Sequence, residues 1–292
     1  MAAIACFAPA KVNLYLHLTG RRADGYHLID SLVAFADIGD RVTARPARGL
    51  SLEVTGGEAG GLAGEGDNLV LRAARLLSKH AGIVAAAALH LEKNLPVAAG
   101  IGGGSADAAA ALRALRGLWR LAIDDATLAR LAGRLGADGP VCVHRNPAWV
   151  AGIGERIEPA RSFPPAAILL VNPRHSLPTA AVFNARSGGF GRAAERFVPM
   201  PRDAAALARM LAPLRNDLTA AAIGLVPEIG RVLGALERLP GALMARMSGS
   251  GATCFALFAD KATATRAKIG LTAAEPRWWC AAGSLLGDSE AG

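Results

Sequence analysis

The stretch LPVAAGIGGGSADAAAAL, residues 95–112, places four glycines within five positions and then becomes rich in alanine. Glycine tolerates positive φ and lets backbone N–H groups approach a ligand without a Cβ in the way. The alanine-rich part predicts a helix over residues 105–118, whose first amides and dipole favour an anion. The stretch therefore predicts a phosphate-binding loop, and a tight structural turn before a buried helix is the alternative.

Two common phosphate motifs do not match this stretch. A Walker loop requires Gly-Lys-Ser/Thr, and no lysine follows these glycines. A dinucleotide fingerprint requires glycine at its first, third and sixth places, and the sixth place counted from Gly100 is Ser105. A phosphate loop here would belong to a different class, in which Ser105 adds a hydroxyl at the start of the helix.

The composition bounds the class of protein. The chain has 292 residues, of which 52% are hydrophobic and 19% charged, a balance typical of a folded globular protein. Its apolar runs are too short to cross a bilayer, and no basic segment precedes the apolar residues of its N-terminus. Its four cysteines are far apart and form no metal-binding or disulfide pattern. We therefore expect a cytoplasmic protein without a membrane partner.

A formal net charge of +8 favours contact with an anion, although it also describes an ordinary solvated basic surface. The arginines are spread along the chain, without a basic run or interleaved aromatic residues. This distribution argues against nucleic acid as a partner and leaves small polyanionic ligands as the favoured class.

The hydrophobic pattern near the N-terminus predicts a strand. Apolar and polar residues alternate from Val12 to Leu18, which places Lys11 and Asn13 together on the polar face. Taken alone, Lys11 is more typical of a solvated strand lysine than of a functional residue.

The rest of the chain alternates between strand and helix patterns. A helix within residues 67–82 would be capped by Asp67 or Asn68 and stopped by Gly82. Further strands are expected near 41–44, 50–55, 87–92, 140–143, 148–153, 166–171, 242–247, 252–258 and 277–282, and further helices over 124–135, 179–185, 203–211, 227–239 and 260–270. The mixture predicts an α+β fold with a boundary between residues 152 and 165.

Two further motifs contain candidate functional residues. GADGPV, residues 136–141, follows a predicted helix and contains Asp138, which alone is also typical of a plain connection. MSGSGATCFALF, residues 247–258, joins two predicted strands through a glycine turn, which alone is typical of a hairpin. Taken alone, Tyr26 and His27 are typical of packed rings beside a turn, and Phe183 of a helix core residue.

In this order, the glycine loop, GADGPV and MSGSGATCFALF resemble the GHMP kinases, which phosphorylate small alcohols with ATP. The opening APAKVNLYLHLTGRRADGYHLIDSL, residues 8–32, looks like that of members acting on 4-diphosphocytidyl-2-C-methyl-D-erythritol in the non-mevalonate isoprenoid pathway. The resemblance extends through DNLVLRAARLL, LGADGPVCV, PTAAVF and NDL, and so covers nearly the whole chain.

The resemblance implies a fold and a reaction. The fold would be a two-domain α+β kinase, with a ribosomal-protein-like ATP-binding domain over residues 1–155 and a ferredoxin-like domain over 156–292 that closes the substrate cleft. ATP, accompanied by Mg²⁺ with unidentified protein ligands, would phosphorylate the 2-hydroxyl of the methylerythritol moiety. The implied partner is a small-molecule substrate, with neither nucleic acid nor membrane. Another small-alcohol kinase, of the homoserine or mevalonate type, is the alternative.

The resemblance also implies roles for individual residues. Asp138 would be the catalytic aspartate that takes the hydroxyl proton, with Lys11 as its partner lysine. Asn13 would hold a substrate hydroxyl. The cytosine ring would be held at Tyr26, His27 and Phe183, with Thr179 as a polar contact. The positions that match the ATP site are Asn68, Lys93, Pro96, Val97, Ala98, Ala99, Gly100, Ile101, Gly102, Gly103, Gly104, Ser105 and Ala106.

The second glycine turn, residues 248–251, would close over the phosphate region.

Two residues depart from the family pattern. Many members have a second serine at the position of Ala106, so that Ser105 would serve alone. Many also have valine or isoleucine where this chain has Gly139, which predicts a looser turn beside Asp138.

Overall fold

A computed structural model describes residues 2–62 and 68–287. The strands within these residues are β1 (Ile4–Arg21), β2 (His27–Arg45), β3 (Leu50–Thr55), β4 (Ala87–Glu92), β5 (Ala148–Gly152), β6 (Arg156–Pro159), β7 (Ala167–Asn172), β8 (Met244–Met247), β9 (Cys254–Phe258) and β10 (Trp279–Ser284). The α-helices are α1 (Leu69–Ala81), α2 (Gly103–Leu118), α3 (Asp125–Gly133), α4 (Gly139–His144), α5 (Thr179–Ala185), α6 (Ala204–Leu211), α7 (Thr219–Leu225), α8 (Glu228–Glu237) and α9 (Lys261–Ala274). A 3₁₀ turn spans Ala59–Leu62. The expected α+β class is confirmed.

The chain divides into two compact units. The first comprises the described residues within 1–10, 39–97 and 102–145, and the second those within 11–38, 98–101 and 146–292. This division differs from a simple boundary at residue 155, because the long strands β1 and β2 each contribute residues to both units. The division of the family domains at residue 155 stays a prediction.

The first unit packs four helices against one another beside a small group of strands. β4 pairs in parallel with β3 and antiparallel with residues 41–45 of β2. α2 is buried on almost every side, with residues 106–115 all buried, and it contacts α1, α3 and α4. Its alanines explain this position, because small side chains let neighbouring helices approach closely.

The second unit is built on an antiparallel sheet in the order β10-β7-β9-β8. All six residues of β7 are buried, as expected for a central strand covered on both faces. Its core joins strand residues such as Leu169 and Phe258 to helix residues such as Ile229 and Leu236. In the same unit, residues 29–33 of β2 pair antiparallel with β5, which in turn pairs with β6.

The predicted strand at Val12–Leu18 is confirmed within β1, but its polar face is not exposed. Leu16 and Leu18 lie in the core of the second unit. On the opposite face the polar and aromatic side chains are at most 7% exposed: Lys11, Asn13, Tyr15 and His17. The interpretation of Lys11 as a solvated strand lysine is therefore wrong.

The segment Pro140–Val143 was expected to be a strand and is instead part of helix α4. A four-residue apolar run does not distinguish a buried strand from a buried helix. Pro140 lies in the first turn of α4, where a missing N–H costs nothing. The guanidinium of Arg113 donates to the carbonyls of Cys142 and Val143 at 3.1 and 3.4 Å, which satisfies the last turn.

Most other predicted elements agree with the structure to within a few residues, but β1 begins at residue 4 instead of 12 and β2 at residue 27 instead of 41. α5 begins and ends where expected, whereas α7 and β6 had no predicted counterpart. Asn68 caps α1 by accepting a hydrogen bond from Val70 N at 2.9 Å. Asp67, the other predicted cap, lies outside the described residues. No described helix combines the length and the apolar composition that a bilayer-spanning segment requires.

Candidate active site

The glycine loop leads directly into α2, as the sequence predicts. α2 begins at Gly103, and its N-cap Gly102 is in the left-handed region with φ 63°. No side chain caps the helix, so its first amides are not satisfied by a capping group. Gly104 at this end is exposed. The arrangement is suited to receiving an anion such as a phosphate group.

The middle of the loop packs against the second glycine turn within the second unit. Ser248 Oγ donates to the carbonyl of Gly100 at 3.1 Å, and Thr253 N donates to that of Ala99 at the same distance. Gly100 has φ 73°, and a Cβ there would lie 2.5 Å from Gly251 O. Only glycine therefore fits at this contact between the second glycine turn and residues 99–100, and closure of the turn over a bound phosphate stays a prediction.

Lys93 lies beneath the start of α2 in the first unit. Its side chain is only 2% exposed. The ammonium donates to Asp107 Oδ2 at 2.9 Å and to Asp40 Oδ2. The structure therefore places the Lys93 charge on two carboxylates, and a direct contact with a nucleotide stays a prediction for Lys93 and for the buried cap Asn68.

Asp138 is the N-cap residue of α4 and is partly exposed. Its side chain does not bond the first-turn amides of that helix. The next residue, Gly139, packs so closely on α3 that a Cβ would overlap the carbonyl of Ala132. The expectation that Gly139 loosens the turn is therefore wrong, because close helix packing is what requires glycine here.

Lys11 and Asn13 occupy the buried polar face of β1. Lys11 N donates to the carbonyl of Ile101 in the loop at 3.0 Å. Asn13 Nδ2 donates to Ser31 Oγ at 2.8 Å, while Asn13 N donates to Ser248 Oγ at 3.1 Å. The amide oxygen of Asn13 is buried and has no hydrogen-bond partner among the described residues. A buried acceptor without a donor is costly, and a ligand hydroxyl would satisfy it.

Two of the predicted base-binding residues, His27 and Phe183, meet in an aromatic group. The rings of His27 and Phe183 lie 5.0 Å apart between centroids, so they contact each other and leave no space for a base between them. Tyr26 is 61% exposed. Phe190, which the sequence did not single out, lies 6.0 Å from His27, and the guanidinium of Arg186 covers its ring at 4.6 Å.

The surroundings of His27 favour its neutral form. Burial lowers the pKa of His27, and the positive charges of Arg21 and Arg186 lower it further. A neutral imidazole carries one donor and one acceptor, which suits hydrogen bonding to the edge of a base. Thr179 lies at the start of α5, where its hydroxyl is hydrogen-bonded to Ser250 of the second glycine turn at 3.0 Å.

Comparisons with known proteins agree with this geometry. The GHMP kinase N-terminal domain matches residues 68–146, and the GHMP kinase C-terminal domain matches residues 193–274. A 4-diphosphocytidyl-2-C-methyl-D-erythritol kinase of Paramagnetospirillum magneticum is 53% identical over 286 residues, 98% of this chain and 100% of that protein. The protein of the same name from Rhodospirillum rubrum is 52% identical over 97% of this chain and 92% of its own length. The chain belongs to the 4-diphosphocytidyl-2-C-methyl-D-erythritol kinase family of GHMP kinases.

Solved structures support the same family. A crystal structure of 4-(cytidine 5'-diphospho)-2C-methyl-D-erythritol kinase has a TM-score of 0.79 and 36% identity, with 97% of this chain and 99% of that chain covered. A homoserine kinase from Cytophaga hutchinsonii has a TM-score of 0.70 at 18% identity, with 98% and 95% covered, which shows the shared fold alone. Membership of this kinase family implies the use of ATP.

Sequence reasoning missed a residue that holds the second glycine turn of this GHMP kinase. Asn216 Nδ2 donates to the carbonyls of Met247 and Gly249, both at 2.8 Å, and its Oδ1 accepts from Leu218 N at 2.9 Å. Both donor hydrogens and the oxygen of this buried amide are therefore hydrogen-bonded. The NDL motif contributed to the family resemblance, but nothing in it indicated which carbonyls, some 30 residues away, the amide would reach.

The segment 186–202 contains no helix or strand, and a cluster around Asp30 anchors it. Asp30 is buried and accepts hydrogen bonds from Arg196 and Ala194 N at 2.9 and 2.8 Å. The Arg196 guanidinium also lies 4.8 Å from the ring centroid of Trp149. Burial and the neighbouring Asp30 raise the pKa of Tyr15, whose hydroxyl donates to the same carboxylate at 2.7 Å. The segment thus lacks regular structure but is firmly attached.

Proposed function

We propose that the chain transfers the γ-phosphoryl group of ATP to the 2-hydroxyl of 4-diphosphocytidyl-2-C-methyl-D-erythritol. The observation that carries this proposal is identity of about half over nearly the full length with kinases of that name. The aromatic group around His27 supports a substrate with a nucleobase. A substrate without a base, such as mevalonate or homoserine, would have no use for it.

For the nucleotide, we assign the phosphates to the uncapped amides at the start of α2. Backbone amides and the positive end of a helix dipole attract negative charge without a flexible cationic side chain. Mg²⁺ bound with ATP would supply positive charge to the transferring group. No group of three or more His, Cys, Asp or Glu residues able to hold a metal occurs among the described residues. This suits Mg²⁺, which keeps waters and phosphate oxygens as most of its ligands.

For the chemistry, Asp138 accepts the proton of the 2-hydroxyl while the oxygen forms its bond to phosphorus and ADP leaves. A hydroxyl is a poor nucleophile at neutral pH, so an aspartate that orients it and takes its proton accelerates the transfer. Lys11 supplies positive charge that stabilises the transferring phosphoryl group. The unpartnered amide oxygen of Asn13 accepts a hydrogen bond from a hydroxyl of the methylerythritol moiety.

Acceptor selectivity tests the proposal. The purified protein with ATP and Mg²⁺ is offered the cytidylyl substrate, mevalonate and homoserine in parallel, and ADP formation is followed. We expect turnover of the cytidylyl substrate alone. Turnover of mevalonate or homoserine without turnover of the cytidylyl compound would assign the chain to the alternative class of small-alcohol kinase.

A variant of the exposed Tyr26 sharpens the same test. Stacking on a base contributes about 1–3 kcal/mol, so Tyr26→Ala should raise the KM for the cytidylyl substrate about 5-fold or more. The KM for ATP should not change. Val84→Ala is the control, because Val84 is another highly exposed apolar residue, 83% accessible, with no assigned role.

A further inference from the structure

A buried group of three charges lies under the glycine loop in the first unit. The ammonium of Lys93 is hydrogen-bonded to Asp40 and Asp107, and all three side chains are at most 2% exposed. The three residues are distant in sequence, and each belongs to a different element or to the segment directly after one. None of the assigned chemical steps uses Asp40 or Asp107.

These charged residues lie at both ends of the glycine loop: Asp40 binds the backbone before the loop, and Asp107 belongs to the helix after it. Asp40 Oδ1 accepts from the backbone amides of Asn94 and Leu95, at 2.5 and 2.8 Å, directly before the loop begins. Asp107 lies in α2, four residues after the first residue of that helix.

The same ammonium also supports the first residue of α2. A Cβ on Gly103 would lie 3.2 Å from Lys93 Nζ, so the ammonium packs directly against the backbone there. One buried cation thus contacts the residue whose amide opens the helix, and it joins that residue to the entry of the loop.

Stability alone does not account for two carboxylates on one ammonium. Buried ion pairs gain little over apolar packing once desolvation is counted, and a second carboxylate adds like-charge repulsion. Moreover, Asp107 Oδ1 is buried without a hydrogen-bond partner among the described residues. A charged group that adds little stability but holds its neighbours rigidly is typical of a binding site whose backbone or side chains must be accurately positioned.

We propose that Asp40 and Asp107 are positioning residues for nucleotide binding, which act through Lys93 to fix the backbone amides at the start of α2. The inference rests on the proposed function, because it takes those amides as the site of the ATP phosphates. Lys93 accordingly supports the loop from beneath. Asp40 sets the entry of the loop, and Asp107 holds the ammonium against Gly103.

Three variants test the inference through ATP affinity measured by calorimetry and through both KM values. Lys93→Met and Asp107→Ala should raise the ATP dissociation constant and the KM for ATP about tenfold, because misplaced amides bind phosphate poorly. The KM for the acceptor should stay within about twofold. Asp107→Asn should restore near wild-type ATP affinity, since its amide oxygen still accepts from the ammonium.

Lys79→Met is the matched control, because Lys79 is an exposed lysine at the end of α1 in the same unit, and it should behave as wild type. If Lys93→Met does not fold, the two Asp107 variants test the inference by themselves. Both are expected to fold, because the remaining Lys93–Asp40 pair keeps the buried charge balanced. Folded Asp107→Ala with wild-type ATP affinity, or with equal rises in both KM values, would overturn the inference. Failure of the wild-type protein to bind ATP would instead overturn the proposed function.

Discussion

At the scale of single residues, proton transfer in the proposed reaction depends on Asp138. Asparagine keeps the size of the side chain but accepts no proton, so Asp138→Asn should lower kcat by about 100-fold or more. The dissociation constant for ATP should stay within about twofold, because the phosphates are assigned to backbone amides of α2. Steady-state kinetics and calorimetry on one preparation measure both quantities.

Asp125→Asn is the matched control for this experiment. Asp125 is a carboxylate of the same unit that is 59% exposed and forms a surface ion pair with Arg116 at 2.6 Å. Exposed ion pairs contribute little to stability, so kcat and ATP affinity should equal those of wild type. Near wild-type kcat in Asp138→Asn would show that another group, or water, takes the proton.

Asp107 also predicts how stability depends on pH. Burial, together with the nearby Asp40, raises the pKa of Asp107 to about 7 against the opposing effect of Lys93. Asp107 is therefore a buried carboxylate that takes up a proton as pH falls through about 7. The folded chain therefore binds this proton more tightly than the unfolded chain, where the pKa is near 3.8.

The sign of the effect follows from this difference. The contribution of Asp107 to the free energy of unfolding is fully present below the unfolded pKa of 3.8 and is lost as pH rises to about 7. Asp107→Asn should remove this loss, so the gain in stability over wild type should be larger at pH 8 than at pH 5. Urea unfolding at both values measures it, with Asp125→Asn as control. Equal effects of Asp107→Asn at both pH values would contradict the assignment.

At the scale of elements, short sequence patterns predict those helices and strands whose ends depend on neighbouring residues. Glycines followed by alanines predict the start of α2, and the helix over Thr179–Ala185 is found at its expected bounds. The apolar run in α4 is ambiguous by itself, and the deciding contact comes from Arg113, 29 residues away from Cys142. The residues of the candidate site stay predictions from the family resemblance, and the partners of Lys93 depend on tertiary packing that no sequence spacing reveals.

The second glycine turn is the element whose position depends most on one side chain. Asn216→Ala removes the donors to Met247 O and Gly249 O. Leaving buried carbonyls unpaired lowers the free energy of unfolding by about 1–3 kcal/mol. The turn also holds Gly100 of the loop through Ser248. We therefore expect Asn216→Ala to lower the free energy of unfolding and to raise the KM for ATP. Urea unfolding and steady-state kinetics measure the two effects.

Asn216→Asp and Asn184→Ala complete this experiment. Aspartate keeps the oxygen that accepts from Leu218 N but loses both donors, so it should resemble Asn216→Ala. Asn184 is an exposed asparagine of α5 in the same unit, and its replacement should leave stability and KM unchanged. If Asn216→Ala lowered stability without changing the KM for ATP, the turn would have no part in holding the loop for the nucleotide.

At the scale of the whole molecule, the net charge of +8 is compatible with a kinase for small anions and with a nucleic-acid-binding protein, and the salt dependence of binding separates the two. A protein that neutralises many phosphates loses about 10³–10⁵ in affinity between roughly 50 and 200 mM salt. ATP offers few charges and is assigned to backbone amides, so its affinity should fall only several-fold over the same range. Filter binding of labelled DNA and RNA at both salt concentrations, with and without ATP, measures the difference. We expect nucleic acid that is retained on the filter at low salt to be released at high salt, and ATP to have no effect on its retention. Retention of nucleic acid at high salt that ATP displaces would instead place nucleic acid at the nucleotide site.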